Sequence, residues 1–545
     1  MFADAQMETI RPEELEILQL DRLKRQVAWA AEKSGIGKNE IFFNLGDVPQ
    51  TLDPALSHAL TSLNVVENTF EGLLRIGLDS RPEAGCAESW EVSEDGLTWT
   101  FHLRPNLKWS DGKPLAAEDF RYGFMRALDP SVAAPYANFA FFVKNGEAFS
   151  KGEAKAEDVG LTAVDDRTFR VDLEHKFPIL LEYLTFAVLR PTRRDVVEAD
   201  PQGWANKPET HICNGPFMLE SCRLAEGGEI VLAKNPYHYG AEGVKVDRVH
   251  MAFISDRNDV LDAFEGGRLD YVSGPPPHEP QRPLTRGEVK PLPAMGPEFC
   301  RFNTTRPPFN DPQVRHAFVL AIDRKAIVEK VLRGGQRPAR GIVPYNVPGA
   351  RPDRDFRAEG GAFLPEEADV GEARRLLAEA GYPEGKGFPK ITYKYNANSV
   401  NKLLAEALQD AWKQALGVEM ELLDMPWKDF VVIRREIDYD IARSSWVMDI
   451  LDAGNVLDLF TSNSRQNHTG YANLAYDEMI AGASREMNPF RRIRMLHEAE
   501  RILMEDLPVA PIYFYSLIVM ESPRVKGIRH TLYDRVLFRN AEVVE

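Results

Sequence analysis

From about Glu40 to the C-terminus, short β-like runs alternate with capped amphipathic helices, and this alternation confines the chain to α/β lobes. The helices carry their own punctuation. Asp311 is an expected N-cap ahead of Pro312, with Val314, Phe318 and Ile322 at helical spacing and Gly334-Gly335 ending the segment that follows. Val370 to Ala380 closes at Gly381, and Pro383 and Gly385 mark a loop before a strand over 390–395. Val400 to Leu416 presents Leu404, Leu408, Ala411, Trp412 and Ala415 on one face and stops at Gly417. Earlier, 97–103 and 167–173 read as half-exposed strands around the turn Ser110-Asp111-Gly112-Lys113, so a smaller β-rich lobe inserted early is expected. At 545 residues the chain exceeds one hydrophobic core, and two or three lobes are expected.

A net charge of −17 argues against nucleic acid, whose phosphates require a basic face. The most apolar windows, 136–143 and 179–189, are far shorter than the roughly 18 residues of a membrane helix. Cys86, Cys213, Cys222 and Cys300 have no CxxC spacing, which disfavours zinc, and free buried thiols are expected. Cys213 and Cys222 read as parts of one strand. His211 beside Cys213 reads as a loop histidine, and Gly266-Gly267-Arg268-Leu269-Asp270 as a turn rather than a phosphate cradle. HExxH, GxSxG, GxxxxGK[ST] and GxGxxG are all missing, so a non-enzyme without metal or cofactor is the reading. The N-terminus lacks a signal-peptide pattern, and Glu13 to Lys33 reads as an amphipathic helix. Either a leader has been removed or the protein is cytosolic.

Two features suggest a ligand cleft. Trp90, Trp99, Trp109, Trp427, Trp446 and the run Tyr513-Phe514-Tyr515 would line a deep pocket if brought together, although each alone is more often core. The stretch Arg443-Ser444-Ser445-Trp446-Val447-Met448-Asp449 joins a cation, an aromatic and an acid.

The order of motifs is similar to that of a known family. Trp99-Thr100-Phe101-His102-Leu103-Arg104-Pro105, Lys108-Trp109-Ser110-Asp111-Gly112-Lys113-Pro114-Leu115 and Glu118-Asp119-Phe120 closely resemble the signature of family 5 extracellular solute-binding proteins. Leu52-Asp53-Pro54, Phe70-Glu71-Gly72-Leu73, Ala87-Glu88-Ser89-Trp90, Asn214-Gly215-Pro216-Phe217, Lys234-Asn235-Pro236-Tyr237, Pro308-Phe309-Asn310-Asp311 and Leu376 to Tyr382 follow in family order. Ser131 to Ala137 and Arg443 to Asp449 resemble the oligopeptide-binding branch that serves ABC importers. The resemblance implies the type II periplasmic-binding-protein fold, with two main lobes plus an inserted smaller domain that close on ligand like a hinge. Mapped on the motifs, 1–40 is a helical extension, 41–70 with 193–296 and 517–545 form domain I, 71–192 domain II and 297–516 domain III.

The resemblance further implies an oligopeptide ligand, ABC permease partners, a monomer, and a periplasmic or extracytoplasmic location, with or without a membrane anchor. It places the anchor of the peptide ammonium at Asp449, with Trp446 as a wall, Arg443 and Arg434 at basic positions, and Trp427 and Tyr136 in the site. His58 stands where relatives carry an acid. Val447 and Gly296 stand where that branch often has a disulfide, and Leu332 and Asn401 where lysine and histidine occur, with Arg333 adjacent. Other ligands for the same fold would be murein peptide, dipeptide, nickel chelate or haem, the last two without local Cys/His support. A hydrolase or interaction protein without a transport role is the reading from another class.

Overall fold

The computed structural model describes residues 39–544 except 226, 275–287 and 352, so the expected helix over Glu13 to Lys33 lies outside the described residues. The expected punctuation is realised in hydrogen bonds. Asp311 accepts from the Gln313 N–H at 2.8 Å to start the helix Pro312–Leu320. Asp369 accepts from the Glu372 N–H at 3.0 Å ahead of Val370–Glu379. Asn398 accepts from the Asn401 N–H at 2.7 Å ahead of Ser399–Leu416, which Gly417 ends at φ +71°, a left-handed turn that glycine adopts without Cβ strain.

Eleven strands form one mixed sheet. Its order runs Met420–Met425, Ile391–Asn396, Ile441–Ser445, Glu288–Phe302, Val509–Glu521, Tyr271–Ser273, Glu40–Asn44, Arg248–Ala252, Glu229–Lys234 and Phe217–Cys222, with Arg337–Pro338 added alongside Val509–Glu521. The two long central strands are antiparallel partners from Glu288 opposite Glu521 to Arg301 opposite Val509. Their outer half borders Tyr271–Ser273, and their inner half borders Ile441–Ser445. Between Pro293 and Pro297 the register shifts. Pro291, Pro293 and Pro297 have no N–H to offer the ladder, so pairing is weakest where the strands pass from one half to the other.

One apolar core, with Ile41, Phe101, Phe120, Trp204 and Val249, lies on the side of the outer strand halves. A second, with Phe299, Phe318, Tyr393 and Trp412, lies on the side of the inner halves. A four-stranded antiparallel sheet, Ala87–Val92, Thr98–Leu103, Thr168–Asp172 and Leu161–Asp165, is continuous with the first core, and the helix Ala117–Leu128 packs Phe120 and Phe124 on Phe169.

The signature residues are committed to internal bonds. Asp53 takes Arg126 through two oxygens at 2.7 and 2.5 Å and the Trp204 indole N–H at 3.2 Å. Asn214 accepts from the Glu71 N–H at 3.0 Å and donates to the Glu71 carbonyl at 2.8 Å, satisfying both buried backbone groups. Of the tryptophans expected near a cleft, Trp99 and Trp109 are core residues and Trp90 packs against the same core. All four cysteines are free, Cys222 only half-buried. Cys213 precedes the strand Phe217–Cys222 rather than lying on it, because its N–H and C=O are held by Ser110 at 3.1 and 2.7 Å. His211 lies in a loop, between the short helical turn Trp204–Asn206 and the strand Phe217–Cys222, but is buried, its Nδ1 2.6 Å from the Ala205 carbonyl, and desolvation pushes its pKa down to about 4.

Candidate functional site

Parallel strands open a crevice at their carboxyl ends. Met420–Met425, Ile391–Asn396 and Ile441–Ser445 run parallel and side by side, so the segments leaving them share one edge. The first leads into the helix Trp427–Arg435, the second into Ser399–Leu416 and the third into Trp446 to Asp449.

That third segment is pinned to the central bulge. The Trp446 N–H donates to the Pro297 carbonyl and the Met448 N–H to the Met295 carbonyl, each at 3.1 Å. Between these bonds, a Cβ on Gly296 would sit 2.1 Å from the Trp446 carbonyl oxygen, so no larger residue fits without moving the segment. Gly296→Ala is therefore expected to lower stability by about 1–3 kcal/mol, as overpacking does, with the loss read as a lower urea midpoint.

The pinned segment forms one wall of a cavity of about 480 Å³. The central strands contribute Pro293, Ala294, Met295 and Tyr515, and His58 and Leu60 stand at the start of the helix Leu60–Thr69. A row of aromatic rings forms another wall: Tyr136 lies 5.3 Å from Phe139, Phe139 4.2 Å from Phe186, and Phe186 6.5 Å from Tyr533 between centroids. Of the residues singled out in the sequence, Asp449, Tyr136, His58, Val447 and Tyr515 meet here. Met295, Phe139, Phe186 and Tyr533 were not foreseen; Phe186 and Tyr533 lie outside helices and strands, where an aromatic carries no periodicity that marks its direction.

The charges are unequally matched. Glu67 takes a bond from Arg190 at 2.6 Å, Asp534 lies 2.5 Å from His530, and Arg535 beside them donates to the Tyr533 carbonyl at 3.0 Å. Asp449 has no hydrogen-bond or ion-pair partner among the described residues. Its carboxylate reaches solvent inside the cavity, yet surrounding protein thins its hydration enough to push its pKa up. The Tyr183 hydroxyl behind it is pushed up to about 12, by burial first and then by Asp449, Asp452 and Asp458.

The remaining expected residues lie off the cavity wall. Trp446 is half-buried, its indole N–H donating to Asn455 at 2.9 Å. Arg443 is turned to the fully buried Glu298, which its guanidinium meets at 2.6 and 2.5 Å, and it also donates to the Tyr515 hydroxyl at 3.0 Å, so its charge is already compensated. Arg434 stacks 5.7 Å from the Trp427 ring, with its Nε buried and unpaired and no carboxylate partner among the described residues. Trp427 itself is 55% exposed at the carboxyl edge. Arg434, Trp427 and Arg443 are thus gathered along that edge but are not brought to Asp449 in this arrangement. Among the described residues no cluster of His, Cys, Asp and Glu could hold a metal, and no helix is long and apolar enough to cross a membrane.

Residues 81–468 match the model of the bacterial extracellular solute-binding proteins, family 5 Middle. The chain belongs to this family. The dipeptide-binding protein DppE of Bacillus subtilis is 34% identical to this family 5 protein over 499 residues, 91% of the chain and 90% of the relative. Among solved structures, the unliganded open form of the periplasmic murein tripeptide-binding protein MppA superposes with TM-score 0.85 at 31% identity, covering 94% of this chain and 98% of that one. OppA of Haemophilus influenzae in complex with RPPGFSPFR gives 0.67 at 30% identity, covering 94% and 100%. The fold is the type II periplasmic-binding-protein fold.

Proposed function

We propose that this family 5 protein captures oligopeptides in the cleft between its lobes and delivers them to the permease of an ABC importer. The observation that carries the reading is Asp449, a carboxylate without a partner among the described residues in a protein-crowded cavity. Asp449 is exposed to the solvent of the cavity, a ligand covering it would strip that water, and the α-ammonium of a peptide is the partner that offsets the loss. Arg434, a guanidinium without a carboxylate among the described residues, is the complementary group for the far end of a zwitterion. Peptide-binding relatives such as DppE support the same substrate class.

In this reading the lobes turn about the bulge at 293–297, carrying Arg434 and Trp427 toward the aromatic wall. Domain I comprises 41–70, 193–296 and 517–545, domain II 71–192 and domain III 297–516. The protein acts outside the inner membrane as a monomer, binds without catalysing, and needs neither metal nor cofactor.

Native mass spectrometry of the protein purified from its source, followed by thermal shift against a tripeptide to pentapeptide pool, tests this. Co-purifying peptide masses and a raised melting temperature are expected. A spectrum of bare protein together with no shift from any pool would overturn the assignment.

A further inference from the structure

The cleft faces carry more apolar surface than amine recognition requires. On one side stand the linked rings of Tyr136, Phe139, Phe186 and Tyr533. On the other, large apolar side chains are left in water along the carboxyl edge: Val447 is 70% exposed, Trp427 55% and Leu403 47%. Soluble proteins seldom leave apolar side chains of adjacent segments exposed together without something to cover them. Topology puts these on adjacent segments, because they follow three neighbouring parallel strands.

Asp449 fixes what the cover is. It lies two residues after Val447 in the chain and shares the cavity with it and with the aromatic wall, so a ligand held by its ammonium extends between the two apolar faces. The other lining charges are already engaged, Glu67 by Arg190, Asp534 by His530, and Arg535 by the Tyr533 carbonyl with Glu67 and Asp534 nearby, leaving little for a charged ligand side chain to gain. Placing such a side chain there would strip its water without a partner.

We infer that the cleft selects peptides with an apolar side chain at or next to the amino terminus, and that Val447 and Tyr136, which both line the cavity, set this preference. The inference rests on the peptide reading and adds a side-chain preference to it. Filling the space with a leucine or phenylalanine side chain rather than a methyl group removes enough apolar area from water for a gain of about tenfold or more in affinity.

Calorimetry with Phe-Ala-Ala, Leu-Ala-Ala, Ala-Ala-Ala, Lys-Ala-Ala and Glu-Ala-Ala separates the two levels. The first two are expected to bind about tenfold or more tightly than the others. Val447→Ser, at an exposed site that tolerates substitution, and Tyr136→Ser are each expected to narrow that ratio. Equal affinities across the series, within about twofold, would overturn the inference while leaving peptide capture in place. So would a preference that survives both variants unchanged. Failure of all five peptides to bind would overturn both.

Discussion

Asp449→Asn is expected to weaken binding of a free-amine peptide by about 2–5 kcal/mol, roughly 30-fold or more, because truncating one member of a desolvated charge pair leaves the other buried alone. Asparagine keeps the shape and a hydrogen-bond acceptor, so the loss isolates the charge. N-acetylation of the peptide is expected to cost wild type a comparable amount and the variant little, a double-mutant cycle across the interface. Unchanged affinity in titration calorimetry of both would remove Asp449 from the site.

The same carboxylate predicts the pH dependence. Its pKa in the ligand-free protein lies above the ordinary aspartate value because of desolvation. A group raised on folding contributes stability that is full below its unfolded pKa and lost as pH rises through the folded one. At neutral pH the ionised Asp449 therefore disfavours the empty protein, and Asp449→Asn is expected to raise its melting temperature while removing ligand binding. An ammonium needs the ionised carboxylate, so wild-type affinity is expected to fall as pH drops through that raised value. Binding in that range is expected to release a proton, visible as a buffer-dependent enthalpy.

Glu298→Ala is expected to cost about 3–5 kcal/mol, the penalty for leaving a buried partner charge alone. Glu298 is inaccessible to solvent on the central strand and receives Arg443 through two bonds at 2.6 and 2.5 Å, with the Tyr515 hydroxyl as a third donor. Burial pushes its carboxyl up, and the two donors oppose that push. Replacing the pair together, Glu298→Leu with Arg443→Met, is expected to cost much less, since it removes both desolvation penalties at once. Urea midpoints of the two variants check this. Equal loss in both would mean that the pair's packing, not its charge, matters. Because the pair adjoins the bulge at 293–297, the single variant is also expected to loosen the segment that carries Asp449.

Legibility in the sequence followed the range of the interaction. Caps and stops such as Asp311, Gly381 and Gly417 act within one helical turn, and they were readable residue by residue. The signature motifs were readable as a family pattern, but their physical role was not: Asp53 and Asn214 act on Arg126 and Glu71, 73 and 143 residues away. Arg443 was legible as a cation near the site, whereas its commitment to Glu298, 145 residues earlier, was not. Of the aromatic wall only Tyr136 was named, because Phe186 and Tyr533 come from distant segments with no local period to join them to it.

By itself, the sequence determined the α/β class, the family, the helix termini and Asp449 as the residue to watch, because propensity, capping and motif order are written in neighbouring residues. Tertiary structure alone decided which charges are left without partners. Arg443 and Asp449 are six residues apart in a single stretch, yet one is neutralised by a remote strand and the other faces an apolar cavity. Electrostatic compensation and desolvation depend on distance in space, and sequence separation does not encode them.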